Sequence, residues 1–154
     1  ILPILRRSAP APFRLVIAGR RPDAAIRRLA ELDGVEIVPD PPTLAPYYAA
    51  ADVAIVPVRS GAGTRIKILE AFSFRVPVVS TVLGAEGLEL AGGTDLLFGD
   101  SAEDFAAACL DLMRDPALRE RLAERGAEVF EDRFGPDRLR TVFRQIHPAT
   151  SHDT

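Results

Sequence analysis

Five short apolar runs, separated by helical patterning, constrain this chain more than any other feature. They are Phe13–Ala18 (ending at Gly19), Val35–Val38, Asp52–Pro57, Val76–Thr81 and Asp95–Phe98. Between the first two, Ala25, Ile26, Leu29 and Ala30 recur at helical spacing within Asp23–Leu32, and Gly34 supplies a stop. Thr43 is placed to cap a short helix running through Ala50, and Thr64–Phe74 reads as the helix before the fourth strand. Residues 1–7 read as a helix end halted by prolines 10 and 12; three more helices are expected at about 101–114, 117–132 and 136–145, divided by Asp115-Pro116 and Gly135-Pro136. Near-continuous apolar strands need cover on both faces, and helical crossovers make their neighbours parallel. The expected fold is therefore an α/β domain: a doubly wound parallel sheet of about five strands with helices on both faces. Ligands of such sheets bind beyond the carboxyl ends of the strands, where Gly19-Arg20-Arg21, Ser60–Thr64 and Val82–Gly87 lie.

The length of 154 residues suits one domain with a real core. A net charge of −3 argues against nucleic-acid binding through a general basic surface. The single cysteine, Cys109, excludes a disulfide framework and a cysteine metal cluster; its neighbours Phe105, Ala106, Leu110 and Met113 make it a small core residue. No apolar run reaches the roughly 20 residues of a transmembrane helix, and no signal peptide is visible. Together these lead to the expectation of a cytoplasmic protein, with a full-length parent that is either free or peripheral at the membrane. The start at Ile1 rather than Met suggests an excised domain. His147 and His152 fall in the tail, away from any candidate site. Phe130, Phe134 and Phe143 are candidates for a self-association surface, and a dimer through them would be read as an artefact of truncation.

The loop Ser60-Gly61-Ala62-Gly63-Thr64 carries the main chemical signal. It follows an apolar strand and opens a helix whose first residues include Arg65 and Lys67. Glycines allow close backbone approach, and a helix N-terminus presents N–H groups and a partial positive charge. Cations there oppose the helix dipole by roughly 0.3–1 kcal/mol each, so the arrangement calls for an anion. Thr64, Lys67 and Glu70 are three apart and share one face. Lys67 can reach a phosphate at the helix mouth, and Glu70 can accept hydrogen bonds from two adjacent hydroxyls, as with a ribose diol. Arg65 lies about 160° from Lys67 and joins only by curling round the first turn. Ile66, Leu69 and Phe72 form the stripe expected to face the sheet. The alternative is a surface Lys67–Glu70 pair beside an ordinary turn. The loop is not a P-loop, since no Gly-Lys-Ser/Thr ends it, and Gly19 does not begin a dinucleotide fingerprint. Val82–Gly87 could supply backbone N–H groups or be a plain turn, and Arg20 and Arg21 could approach a diphosphate or be surface charges.

Four segments in order carry a resemblance. They are Tyr47-Tyr48-Ala-Ala-Ala-Asp52-Val-Ala-Ile-Val-Pro57, Gly61-Ala-Gly-Thr-Arg-Ile-Lys67-Ile-Leu-Glu70-Ala-Phe, Val76-Pro-Val-Val-Ser-Thr81 and Gly84-Ala-Glu-Gly-Leu88. Over about residues 3 to 145 the chain resembles the C-terminal domain of group-1, family-4 retaining glycosyltransferases, the Rossmann-like half of a GT-B enzyme. The resemblance implies a site for a nucleoside diphosphate sugar, the donor substrate, with no further cofactor and no bound metal. It places Gly61, Ala62, Gly63, Thr64, Arg65, Lys67, Glu70, Gly19, Arg20, Thr81, Gly84, Glu86 and Gly87 around the donor. Glu70 would hold the ribose, while Lys67 and Arg65 would lie near the diphosphate. It assigns residues 1–147 to the nucleotide-sugar domain, less its first strand and helix, and 148–154 to a disordered tail. A missing N-terminal acceptor domain would complete the parent, the piece alone being inactive. No catalytic residue is identified.

Departures are specific. The family's paired glutamates stand eight apart, and Ala62 occupies the first position, so that sugar contact is absent. Arg75 replaces the glycine expected after Ser73-Phe74, which speaks against a glycine-type left-handed cap there. Pro39-Asp40 stands where a glycine is usual. Two other functions fit the same fold: a non-catalytic interaction or regulatory domain, and a sugar-nucleotide epimerase. Against the epimerase, catalytic carboxylates and a histidine are absent from recognisable places.

Overall fold

The structure, a computed structural model, describes residues 1–60 and 65–135. The elements alternate as α1 (Leu2–Ser8), β1 (Leu15–Gly19), α2 (Ala24–Arg28), β2 (Val35–Pro39), α3 (Ala45–Ala49), β3 (Ala54–Val56), α4 (Ile66–Ser73), β4 (Val78–Ser80), β5 (Leu97–Phe98), α5 (Ala102–Arg114) and α6 (Pro116–Phe134). Short 3-10 turns follow α2 at Leu29–Glu31 and β4 at Leu83–Ala85. All strand pairs are parallel. The five strands divide into two sheets, β1–β2 and β3–β4–β5, rather than one continuous ladder. The helix expected at 136–145, Phe143, His147, His152 and the tail lie outside the described residues, as do Gly61, Ala62, Gly63 and Thr64.

Local chemistry sets the helix starts. Asp23, Ser101 and Asp115 each accept a main-chain N–H three residues on, at 2.8, 2.9 and 3.0 Å respectively. Each satisfies a donor that the first helical turn would leave unpaired. At α3 the expected Thr43 cap is corrected: the N-cap is Leu44, and Thr43, one residue outside it, accepts the Ala45 N–H at 3.2 Å. The Asp23–Leu32 helix tightens after Arg28 into the 3-10 turn, and Gly34 ends the connection at a φ of 70°.

β4 divides the core. Val78 faces a cluster formed with Val56, Ile68, Ala71, Phe72 and Val129, while the next residue, Val79, faces Leu5, Phe105, Cys109, Leu112 and Leu122. The alternation follows from the two-residue period of a strand. It puts α4 on one face and α1 and α5 on the other, with α6 reaching the first through Val129 and the second through Leu122, which is the doubly wound arrangement. Cys109 is buried as expected, and burial pushes its thiol up to about 12. Phe130 and Phe134, the described candidates for a self-association surface, are partly buried against the Phe72 cluster. Asp95 is buried but satisfied: it accepts the Ala91 N–H at 2.8 Å and the Arg125 Nε at 2.9 Å, tying the loop before β5 to α6.

Two expectations about α4 are corrected. Its buried face is Ile68, Ala71 and Phe72; Leu69 is only partly buried and Ile66 is 52% exposed. The packing of α4 on α6 chooses the Ile68 side of two adjacent apolar stripes. At the other end, Arg75 takes up the left-handed position itself, with a φ of 56°. The Arg75 N–H reaches the Phe72 carbonyl and the Val76 N–H the Ala71 carbonyl, both at 2.9 Å, the paired bonds of a Schellman cap. The left-handed backbone costs about 1 kcal/mol in a residue with a side chain. Two saved carbonyls and the burial of Val76 against Ala71 offset it.

The α4–α6 crossing depends on Gly126. A Cβ there would stand 2.5 Å from Cδ1 and 2.7 Å from Cε1 of Phe72, a ring with no exposed surface and no room to retreat. Helix propensity alone favours alanine over glycine by about 1 kcal/mol. We expect Gly126→Ala to lose stability nonetheless, by about 1–3 kcal/mol from overpacking. The check is a lower urea midpoint at unchanged slope.

Candidate functional site

The carboxyl ends of β3, β4 and β5 open into a cleft of about 280 Å³ lined by Val58, Arg59, Thr81, Leu83 and Asp100. Parallel strands place their ends together, so the residues just after three strands meet although they are far apart in sequence. A larger hollow of about 430 Å³ lies against β5 and α5, lined by residues including Gly92, Phe98, Asp104 and Ala108. It holds none of the predicted site residues and lies beside the sheet rather than at its carboxyl ends.

Thr81 organises the cleft. Its hydroxyl donates to the Val58 carbonyl at 2.6 Å and accepts the Gly84 N–H at 3.0 Å, joining the segments that follow β3 and β4. Gly84 is required by space: a Cβ would meet Ser80 Oγ at 2.4 Å and the Val56 carbonyl oxygen at 3.0 Å. The expectation that Val82–Gly87 offers N–H groups to a ligand is corrected for four of them. Those of Val82, Gly84, Ala85 and Glu86 bond to Asp100, Thr81, Val82 and Leu83 respectively. The 3-10 turn consumes those of Ala85 and Glu86, because its tight bonding pairs each N–H with the carbonyl three residues back, and the side chains of Asp100 and Thr81 take the other two. Gly87 supplies the exit from this turn with a φ of 82°.

Arg65 reaches the loop after β4. It occupies the N-cap of α4, and its Nε and a terminal nitrogen reach the Glu86 carbonyl at 3.3 Å and the Glu86 carboxylate at 3.1 Å. The Arg65 side chain is 11% exposed and that of Glu86 is 70% exposed. A cation against the dipole is thus partly matched by a carboxylate from the neighbouring loop, in a solvent-screened pair of modest strength. The pair also places the opening of α4 beside the loop whose Thr81 and Leu83 line the cleft.

Lys67 is exposed and Glu70 half-buried on α4. Among the described residues no ion pair joins them. Glu70 instead accepts from Tyr48: the phenol oxygen stands 3.3 Å from Glu70 Oε2 and 3.4 Å from the Lys67 carbonyl. Desolvation by burial, then the Glu70 charge and its hydrogen bond, push the Tyr48 hydroxyl up to about 12. Gly19 ends β1, and the exposed Arg20 follows it. There the Gly19 carbonyl accepts the Asp40 N–H at 2.9 Å, and Arg21 N–H donates to Asp40 Oδ1 at 3.0 Å.

Three residues of this region escape a reading of the sequence: Arg59, Asp100 and Tyr48. Arg59 and Asp100 follow β3 and β5 closely enough that the strand-end rule would find them. Tyr48 meets Glu70 across 22 residues, a pairing no local pattern encodes. Among the described residues no group of three or more His, Cys, Asp or Glu is placed to hold a metal ion, and no helix is long and apolar enough to cross a membrane.

Thr81→Val would keep the shape and strand propensity of the side chain while leaving the Gly84 N–H and Val58 carbonyl without this partner. We expect a loss of about 1–3 kcal/mol for the buried groups left unmade, measured by thermal or urea unfolding.

Residues 1–115 match the protein family described as Glycosyl transferases group 1. No curated protein matches the chain. Among solved structures, sucrose-phosphate synthase from Thermosynechococcus elongatus superposes with a TM-score of 0.69 at 25% identity, over 89% of this chain and 39% of its own. The pneumococcal O-GlcNAc transferase GtfA, in complex with UDP and GlcNAc, gives 0.66 at 17% identity, over 91% and 30%. The C-terminal domain of the group 1 family glycosyl transferase LpcC from Francisella tularensis gives 0.59 at 17% identity, over 84% and 89%. The chain thus spans about two-fifths of the first and under a third of the second.

Proposed function

The chain belongs to the group 1 glycosyl transferases, and from that premise we propose that it binds a nucleoside diphosphate sugar at the strand-end cleft beside α4. The observation that carries this is Glu70: a half-buried carboxylate on the helix that opens at the cleft, held by a tyrosine hydroxyl rather than by a cation. A carboxylate so placed accepts from two vicinal hydroxyls, as a ribose offers. Lys67, one turn nearer the helix mouth, supplies a cation for the diphosphate, and the first turn adds its own partial charge. Fixed positive groups there stabilise the charge that develops on the diphosphate as the glycosidic bond breaks. The fold shared with a transferase crystallised with UDP and GlcNAc supports the same reading.

In this reading the parent enzyme transfers the sugar with retention to an acceptor held by a second domain. The 154-residue chain alone binds donor weakly and does not turn it over. Arg65 acts near the diphosphate while paired with Glu86. Gly61, Ala62, Gly63 and Thr64 remain assigned to the donor by the resemblance.

Two substitutions test it. Glu70→Ala should weaken binding of the best of UDP, GDP and ADP by at least about tenfold, near 1.4 kcal/mol. Equal calorimetric affinities for wild type and variant would sink the ribose assignment. Lys67→Ala should cost more affinity for the nucleoside diphosphate than for the matching nucleoside, and an equal loss for both would remove its phosphate role. Failure of the wild type to bind any nucleoside diphosphate would favour a non-catalytic interaction domain.

A further inference from the structure

Tyr48 stands against both ends of α4. Its hydroxyl lies at the first turns, between the Lys67 carbonyl at 3.4 Å and Glu70 Oε2 at 3.3 Å, and both are acceptors. Its ring stacks on Phe74, the C-cap residue of α4, with centroids 5.5 Å apart and planes within 11°. The stack fixes the ring plane, so the phenol oxygen has one place to be. One proton is shared between two acceptors at long range, which leaves the carboxylate tethered but not saturated.

We propose that Tyr48 is the positioning residue for Glu70, orienting its carboxylate so that it takes two vicinal hydroxyls and thereby selects ribose over sugars that lack them. The inference rests on the donor-binding reading above and extends it to the residue that sets the selectivity. An ionised carboxylate has about four lone-pair sites, and Tyr48 uses one of them on Oε2. Oε1 and the remaining Oε2 site are left for the two hydroxyls. A carboxylate free to rotate would lose that freedom on binding; one already oriented loses less, and the difference appears as affinity. Burial keeps the phenol protonated well above neutral pH, so it serves as a donor and never faces Glu70 as a second anion.

The test is calorimetry on the 154-residue chain with the tightest binder among UDP, GDP and ADP, and with its 2′,3′-dideoxy analogue. Tyr48→Phe keeps the ring and its stack on Phe74 and removes only the hydroxyl. It should weaken the ribonucleotide about three- to tenfold and leave the dideoxy analogue unchanged. Glu70→Gln should cost less affinity in that background than in wild type, because part of what Glu70 contributes is already lost. If Tyr48→Phe binds both nucleotides as wild type does while Glu70→Gln loses the ribonucleotide, the positioning role is overturned and the ribose assignment stands. An equal loss for both nucleotides would mark Tyr48 as merely structural and would also overturn it. If wild type fails to distinguish the two nucleotides, or binds neither, the ribose assignment itself falls and the inference falls with it.

Discussion

Everything at the candidate site hangs on how α4 is seated. The same eight-residue helix presents Lys67 and Glu70 outward and drives Ile68, Ala71 and Phe72 into the core. Phe72 fills the space that Gly126 leaves on α6, so a missing Cβ on one helix sets the height and rotation of the other. Interiors this dense do not deform gradually. A rotation of α4 large enough to move Glu70 would have to eject Phe72. The precision of the site is therefore a by-product of core packing, and the functional and structural faces of α4 cannot be altered independently.

The loops at the strand ends follow a complementary rule. They are pinned by short polar side chains rather than by apolar bulk. Thr81, Asp100 and the 3-10 turn at Leu83–Ala85 bind one another's backbone, and among the described residues no buried side-chain nitrogen or oxygen lacks a partner. Such a cleft is formed before any ligand arrives, and a ligand binding to a rigid cleft loses little conformational freedom in doing so. The Arg65–Glu86 pair crosses between the opening of α4 and this loop, so the two halves of the site are also linked electrostatically.

Much of this was legible in the sequence because it is local. Alternating apolar runs announce parallel strands, and Asp23, Ser101 and Asp115 announce helix starts because a capping bond spans three residues. Lys67 and Glu70 share a face by helical geometry alone. What stayed hidden depends on partners distant in sequence. Ile66 and Ile68 are equally apolar, and partners distant in sequence, α6 among them, decide which is buried. Tyr48 gives no hint that it will find Glu70. Arg75 shows that a left-handed cap needs its hydrogen bonds more than it needs a glycine. The loop after β4 looked open to a ligand because the side chains that occupy its N–H groups, Thr81 and Asp100, come from different strand ends.

The lone cysteine has a use that its burial creates. Cys109 sits on α5 against Val79 and Phe105, its thiol held protonated by the apolar surroundings. A thiolate is the species that reacts with alkylating reagents, so the folded molecule conceals its only nucleophilic sulfur from them. Modification must wait for α5 to separate from the sheet. The rate at which this chain takes up one label is thus a clock for the opening of its core, with no background from a second thiol.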